Sequence, residues 1–285
     1  MHQSAVHLTE CPRDAMQGLH DFVPTHHKIA YLNLLLQVGF DTLDFGSFVS
    51  PKAIPQMRDT AKVLDQLELT TTKLLAIVAN VKGVEAAVSH QAIDYLGFPF
   101  SISETFQQRN TNASIAQSLN TVEEMLNLCD RHHKTAVVYL SMAFGNPYGD
   151  EWNAEIVEKW ANELVKRGVK ILSLADTTGV ASPDKIRAIF AQFQQHYSTT
   201  ALGVHLHSTP HTRLEKLEAA YAAGCRRFDS ALKGFGGCPM AADELTGNMA
   251  TEELISFLAN QGVHPKLNFD KLQEALAYSS NIFPR

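Results

Sequence analysis

The sequence predicts a closed (β/α)8 barrel, and three observations carry that prediction. Eight strand-length apolar runs punctuate the chain, none with an internal proline. Helix-patterned stretches lie between them, and strands alternating with helices imply a parallel sheet. No Gly-x-Gly-x-x-Gly follows the first strand, which counts against the main rival, a doubly wound open sheet.

The runs are Ala5–Thr9, Thr42–Phe45, Lys73–Val78, Ala92–Leu96, Thr135–Leu140, Val169–Leu174, Leu202–Leu206 and Arg226–Ser230. Between the first two, Ile29, Leu32, Leu35 and Leu36 recur at helical spacing and Gly39 supplies a stop. Ile156, Trp160, Leu164 and Val165 repeat the pattern before Gly168, and Leu214, Leu217, Ala220 and Tyr221 before Gly224. The recurring unit is helix, glycine, a short link, then a buried strand. No linker, low-complexity tract or composition break divides the chain, so one barrel domain is expected over residues 1–285. A last helix near Phe269–Ser280, within about 266–285, reads as an appended cap.

Composition narrows the function. Of 285 residues, 45% are hydrophobic and 19% charged, as in ordinary globular proteins. A net charge of −6 without a basic run argues against a nucleic-acid partner. No apolar stretch reaches the roughly 18 residues of a membrane span. The start, Met1–Val6, lacks the pattern of a signal or transit peptide. Cys11, Cys129, Cys225 and Cys238 are too few and too scattered for a disulfide framework or a zinc finger. A cytoplasmic location is the expectation.

In a barrel enzyme, chemistry sits at the C-terminal ends of the strands. Arg13 and Asp14 follow strand one, Asp44 ends strand two and Asp176 follows strand six. His205 and His207 end strand seven, while Cys238 and Asn248 lie in the loop after strand eight. Strands one, two, seven and eight become neighbours when a barrel closes, so these residues converge on one mouth. His205 and His207 are two apart and share a strand face. Such a pair also arises by chance among 13 histidines. With Asp14 and Asn248 at the same end it becomes a candidate site of two imidazoles, a carboxylate and an amide oxygen. That mixed nitrogen and oxygen set suits Mg²⁺ or Mn²⁺ better than structural zinc. Arg13 is either half of a surface ion pair with Asp14 or a guanidinium poised to stabilise an enolate or carbonyl oxygen. Asp44 and Asp176 read equally well as braces or as site carboxylates. Cys238 sits in Gly234-Phe235-Gly236-Gly237-Cys238-Pro239, where glycines let the backbone approach a ligand closely. It is either an inert small residue or an exposed thiol able to give a proton.

Together these residues resemble the hydroxymethylglutaryl-CoA lyase family, of the metal-dependent (β/α)8 group that includes isopropylmalate synthase. The resemblance spans Thr9 to about Glu274. It rests on Pro12-Arg13-Asp14, Gln17, Ser47 to Lys52, Pro55-Gln56-Met57, Asp176-Thr177, Gly203 to His207, Gly234 to Pro239 and Gly247 to Glu252. The cysteine loop is its most specific part, since the synthases of the group lack it. The resemblance implies that Asp14, His205, His207 and Asn248 bind the divalent metal, that Arg13 holds the thioester oxygen, and that Cys238 protonates the departing acetyl group. Asp44 and Asp176 match acidic positions of the family site, as supports or proton-transfer partners. Gln17, His20, Ser47, Asn110, Gly236 and Gly237 are the implied substrate contacts. The implied reaction splits 3-hydroxy-3-methylglutaryl-CoA into acetoacetate and acetyl-CoA, with His205 or Asp14 as the base. The cysteine loop would close as a lid. Barrel enzymes with a C-terminal helix often pair, so a homodimer or higher homo-oligomer is expected.

The chain departs from the family pattern at several points. Cys11 and Ala15 stand where glycine is usual, and His20 where many members carry a lysine suited to CoA phosphates. Met142 and Asn146 replace frequent cysteines, and one extra residue separates Cys238 from Asn248. Ala15 and His20 are expected near the substrate. Another 3-hydroxyacyl thioester is therefore an alternative substrate, and a non-catalytic metal- or CoA-binding barrel a more remote one.

Overall fold

The computed structural model describes residues 5–237 and 246–283. Eight parallel strands close into a barrel in chain order, β1 pairing with both β2 and β8. They are β1 (His7–Glu10), β2 (Thr42–Ser47), β3 (Lys73–Ile77), β4 (Tyr95–Ser101), β5 (Thr135–Ser141), β6 (Ile171–Asp176), β7 (Ala201–Leu206) and β8 (Arg227–Ser230). The helices are α1 (Pro12–Gln17), α2 (Thr25–Val38), α3 (Thr60–Leu64), α4 (Val81–Val88), α5 (Glu104–Thr111) and α6 (Ile115–Arg131). They continue with α7 (Ala154–Lys166), α8 (Pro183–His196), α9 (Arg213–Ala222), α10 (Thr251–Asn260) and the appended α11 (Phe269–Tyr278).

Alternation along the strands builds two cores. Leu43, Phe45, Leu74, Phe98, Phe100, Leu172, Val204 and Phe228 face outward into the large core shared with the helices. Leu75, Ile77, Val137, Tyr139 and Ile171 point inward and fill the barrel. Asn80, Ser103, Ser114, Asn153, Ser182 and Asn268 each accept a backbone N–H from the first turn of the helix they cap. Gly39 closes α2 at φ +87°, a conformation a Cβ disfavours. The cap α11 packs on α2, and Asn268 N–H donates to the Val38 carbonyl at 2.8 Å.

Three expectations need correction. Strand β4 runs through Pro99 and begins three residues later than the apolar run at Ala92. Phe98 and Phe100, on either side of the proline, anchor the strand in the outer core. Asp44 is not the end of β2, which continues to Ser47 across a register shift between Asp44 and Gly46. Leu214 belongs to the helical stripe of α9 by spacing yet is exposed; Leu217, Ala219 and Ala220 form the buried face. No described helix is long and apolar enough to cross a membrane.

Candidate active site

Helix α1 follows β1 after a single residue, with Pro12 in its first turn, and this places Arg13 and Asp14 at the barrel mouth. The Arg13 guanidinium lies flat against Asp44 of β2. Its Nε donates to Oδ1 at 3.1 Å and to Oδ2 at 3.0 Å, and its Nη2 to Oδ2 at 2.5 Å. Its Nη1 donates to Asp14 Oδ1 at 3.1 Å and to Gln17 Oε1 at 2.9 Å. Among the described residues these partners take four of the five N–H groups, and one Nη2–H remains for a ligand. Burial raises Asp44 to about 6 against the pull of Arg13. Asp14 behaves oppositely: burial opposes its ionisation, but Arg13, His205 and His207 outweigh it and hold the carboxyl at about 2.

His205 and His207 leave the end of β7 on the same face, with their Nε2 atoms 3.1 Å apart. Each ring is held from behind. His205 Nδ1 lies 3.2 Å from Asp229 Oδ2, and His207 Nδ1 lies 2.9 Å from the Thr246 carbonyl. A carbonyl and a carboxylate only accept, so both protons belong on Nδ1 and both Nε2 lone pairs face each other. The Asp14 carboxylate completes the cluster, with ligand atoms of Asp14, His205 and His207 all within 4.8 Å of one another. Facing lone pairs beside a carboxylate are a poor arrangement without a cation and a good one around a divalent ion. The imidazoles respond unequally. Burial lowers His207 to about 4, with His205 adding to the effect, whereas Asp229 and Asp14 overcome burial and raise His205.

Asn248 reaches this cluster because residues 247–249 form a short antiparallel fastening on the end of β7. Ser208 N–H donates to the Gly247 carbonyl at 2.8 Å and Met249 N–H to Leu206 at 3.2 Å. The Asn248 amide donates through Nδ2 to Asp14 Oδ2 at 2.7 Å and to the Phe235 carbonyl at 2.9 Å. It thus joins the metal-site candidate to the glycine loop. Gly236 (φ +106°) is pressed so tightly there that a Cβ would lie 2.6 Å from Asn248 Nδ2, 2.8 Å from Ala15 Cα and 2.9 Å from the Asp14 carbonyl. Gly237 also has a positive φ, of +133°. Cys238, the thiol to which this loop leads, lies outside the described residues.

A cavity of about 400 Å³ opens over these groups, lined by Arg13, Asp14, Gln17, Ser47, His205 and His207 among others. Asn110 lies on its wall at the end of α5, as does the apolar set Val49, Ile54, Ile77 and Phe106. Ser47 Oγ is buried and has no hydrogen-bond partner among the described residues, as expected of a group awaiting a ligand.

Two expected site residues stand elsewhere. Asp176 ends β6 but does not line the cavity. Its Oδ2 accepts from Lys216 Nζ at 2.6 Å and its Oδ1 from Ala181 N–H at 3.0 Å. Lys216 also donates to the carbonyls of Gly179 and His207, both at 2.9 Å. Through Lys216, Asp176 is tied to the backbone beneath His207. His20 is fully exposed and paired with Asp21 at 3.1 Å, on a separate depression formed with the chain's C-terminal segment. Ala15 is likewise not on the cavity wall; it is buried, with its Cα against Gly236. Sequence reasoning overlooked Lys216 and Asp229. A lysine on the apolar stripe of α9 and an inward-facing aspartate beside the His-x-His strand were the available signals.

The chain matches the HMGL-like family over residues 7–278. It is 35% identical over 268 residues to mitochondrial hydroxymethylglutaryl-CoA lyase of Bos taurus, covering 94% of this chain and 82% of that protein. It is 32% identical over 267 residues to hydroxymethylglutaryl-CoA lyase YngG of Bacillus subtilis, covering 93% and 88%. Among solved structures, an HMG-CoA lyase from Acinetobacter baumannii in complex with coenzyme A and 3-methylmalate superposes with a TM-score of 0.91 at 30% identity, covering 99% and 93%. The carboxyl transferase domain of Rhizobium etli pyruvate carboxylase shares the fold alone, at 15% identity and a TM-score of 0.72.

Proposed function

The chain belongs to the HMGL-like family, and on that premise we propose that it is a metal-dependent carbon–carbon lyase that cleaves 3-hydroxy-3-methylglutaryl-CoA to acetoacetate and acetyl-CoA. One observation carries the reading: a lone-pair-rich cluster of Asp14, His205 and His207 beside a buried, braced guanidinium, under a cavity of about 400 Å³. Asp14, His205 and His207 would hold Mg²⁺ or Mn²⁺, with Asn248 completing the set through its amide oxygen. Bound there, a divalent cation supplies Lewis acidity and lowers the pKa of a coordinated substrate hydroxyl, whose proton passes to His205 or Asp14 as the carbon–carbon bond breaks.

The chain's own residues supply the rest. Arg13 presents its remaining N–H to the thioester oxygen, where negative charge grows as the carbon–carbon bond breaks. Asp44 fixes the guanidinium plane, so little reorganisation is needed at that moment. Ser47, Gln17 and Asn110 line the same cavity and offer polar contacts to the substrate. Cys238 delivers the proton that turns the enolate carbon into the methyl group of acetyl-CoA, and Gly236, two residues before it, lies against the Asp14 carbonyl. We place the enzyme in the cytoplasm as a homodimer or higher homo-oligomer, an assembly that light scattering would test.

The deciding experiment is a panel of 3-hydroxyacyl-CoA thioesters assayed for acetyl-CoA release. The highest kcat/KM is expected with 3-hydroxy-3-methylglutaryl-CoA. A better substrate elsewhere on the panel would keep the chemistry and replace the substrate; binding of every thioester without turnover would remove the enzyme reading.

A further inference from the structure

We propose that Asp229 is a positioning residue for the metal site: its carboxylate holds the His205 ring with the proton on Nδ1 and the Nε2 lone pair turned toward Asp14 and His207. This rests on the metal-dependent reading above. Asp229 takes no part in the reaction steps above; it lies on β8, one strand away from the ligands on β7.

The strand register makes the contact. His205 and Asp229 are direct partners across the β7–β8 pair, so both side chains project into the barrel at one level. The Asp229 side chain is 9% exposed and lies 3.2 Å from His205 Nδ1. Two neighbours sharpen the constraint. Tyr139 packs edge-on to the His205 ring, with centroids 5.7 Å apart at 79°, and limits its rotation. Cys11 Sγ shares the space behind the ring, within 4.8 Å of both His205 and Asp229. Its S–H donates to the Thr9 carbonyl at 3.8 Å, so the thiol offers the ring no more than a weak acceptor. The carboxylate is therefore the group that dictates which ring nitrogen carries the proton. His207 obtains the same result from a backbone carbonyl, a partner no side-chain substitution removes. Asp229 is the adjustable half of the pair. Outer partners of this kind typically change metal affinity about 10–100-fold when removed.

The test compares the full-length wild type with Asp229→Asn, whose amide offers His205 either a donor or an acceptor and so no longer selects one tautomer. Long-range ¹⁵N spectra of the metal-free proteins at alkaline pH read the tautomer, and Mn²⁺ titration followed by electron paramagnetic resonance reads affinity. The wild type should show His205 protonated at Nδ1. Asp229→Asn should show a mixture or a swap and bind Mn²⁺ about 10–100-fold more weakly, with Asp229→Glu recovering part of the loss. A merely structural role would lower the thermal midpoint without moving the tautomer. A wild-type ring protonated at Nε2 overturns the proposal by itself, even if the variant fails to fold. So does an Asp229→Asn protein that binds Mn²⁺ like the wild type. A wild type that binds no Mn²⁺ overturns the metal reading instead, and the ring spectra alone then decide the role of Asp229.

Discussion

Replacing Gly236 by alanine perturbs the point where the glycine loop meets the metal-site candidate. The added Cβ would stand 2.6 Å from Asn248 Nδ2, 2.8 Å from Ala15 Cα and 2.9 Å from the Asp14 carbonyl oxygen. Two of these neighbours are backbone atoms, which cannot rotate away. The residue also sits at φ +106°, where a side chain costs roughly 1–2 kcal/mol. Overpacking of this kind adds roughly 1–3 kcal/mol. The expected destabilisation is therefore about 2–5 kcal/mol, a fall in thermal midpoint of roughly 3–8 °C for a chain of this size. The amide of Asn248 gives way most easily, so its 2.7 Å bond to Asp14 should lengthen and Mn²⁺ binding should weaken with it. Calorimetry and a Mn²⁺ titration measure the two effects. Gly149→Ala is the control, because Gly149 shares a positive φ of +77° but has open space within 4 Å. It should show the backbone cost alone, with native metal affinity. A Gly236→Ala protein as stable as wild type and equally able to bind Mn²⁺ would refute the close packing of loop against metal site.

Two further predictions concern buried charges. Lys216→Met leaves the Asp176 carboxylate buried and unpaired and frees the Gly179 and His207 carbonyls, so urea unfolding should show a loss of about 3–5 kcal/mol. A double variant with Asp176→Leu should recover part of it; a catalytic Asp176 would instead lose kcat on Asp176→Asn with stability intact. Glu10 accepts from Leu232 N–H at 2.8 Å and from the Thr251 hydroxyl, and burial raises its carboxyl from 4.5 to about 8. The folded state thus holds a proton that the unfolded chain releases above 4.5, so this group's contribution is full below that pH and is lost as pH rises toward about 8. Glu10→Gln mimics the protonated form, and its stability advantage over wild type should grow from pH 5 to pH 9 by on the order of a few kcal/mol. A constant difference across that range would show that Glu10 ionises normally in the fold.

The barrel was legible in the sequence because its units are local: an apolar run, a helical stripe and a terminal glycine each reveal themselves within a dozen residues. The placement of Arg13, Asp14, His205, His207 and Asn248 at one mouth followed from the topology, since strands one, two, seven and eight adjoin on closure. What escaped depended on partners distant in the chain. Asp176 reads equally as a brace or a site carboxylate, and its pairing with Lys216, forty residues away, is invisible in the sequence. Asp229 sits in a run that reads as an ordinary strand, and only the register with β7 sets it behind His205. Ala15 and His20 are close in sequence to Asp14, but α1 turns Ala15 toward the glycine loop, and His20, beyond its end, stands in solvent.

The most direct test of the central claim is a metal-restoration assay on 3-hydroxy-3-methylglutaryl-CoA. Protein stripped with a chelator should release neither acetyl-CoA nor acetoacetate, and added Mg²⁺ or Mn²⁺ should restore both in equal amounts. Asp14→Asn should prevent that restoration. Full activity in the stripped protein, or cleavage by Asp14→Asn at the wild-type rate, would contradict the account.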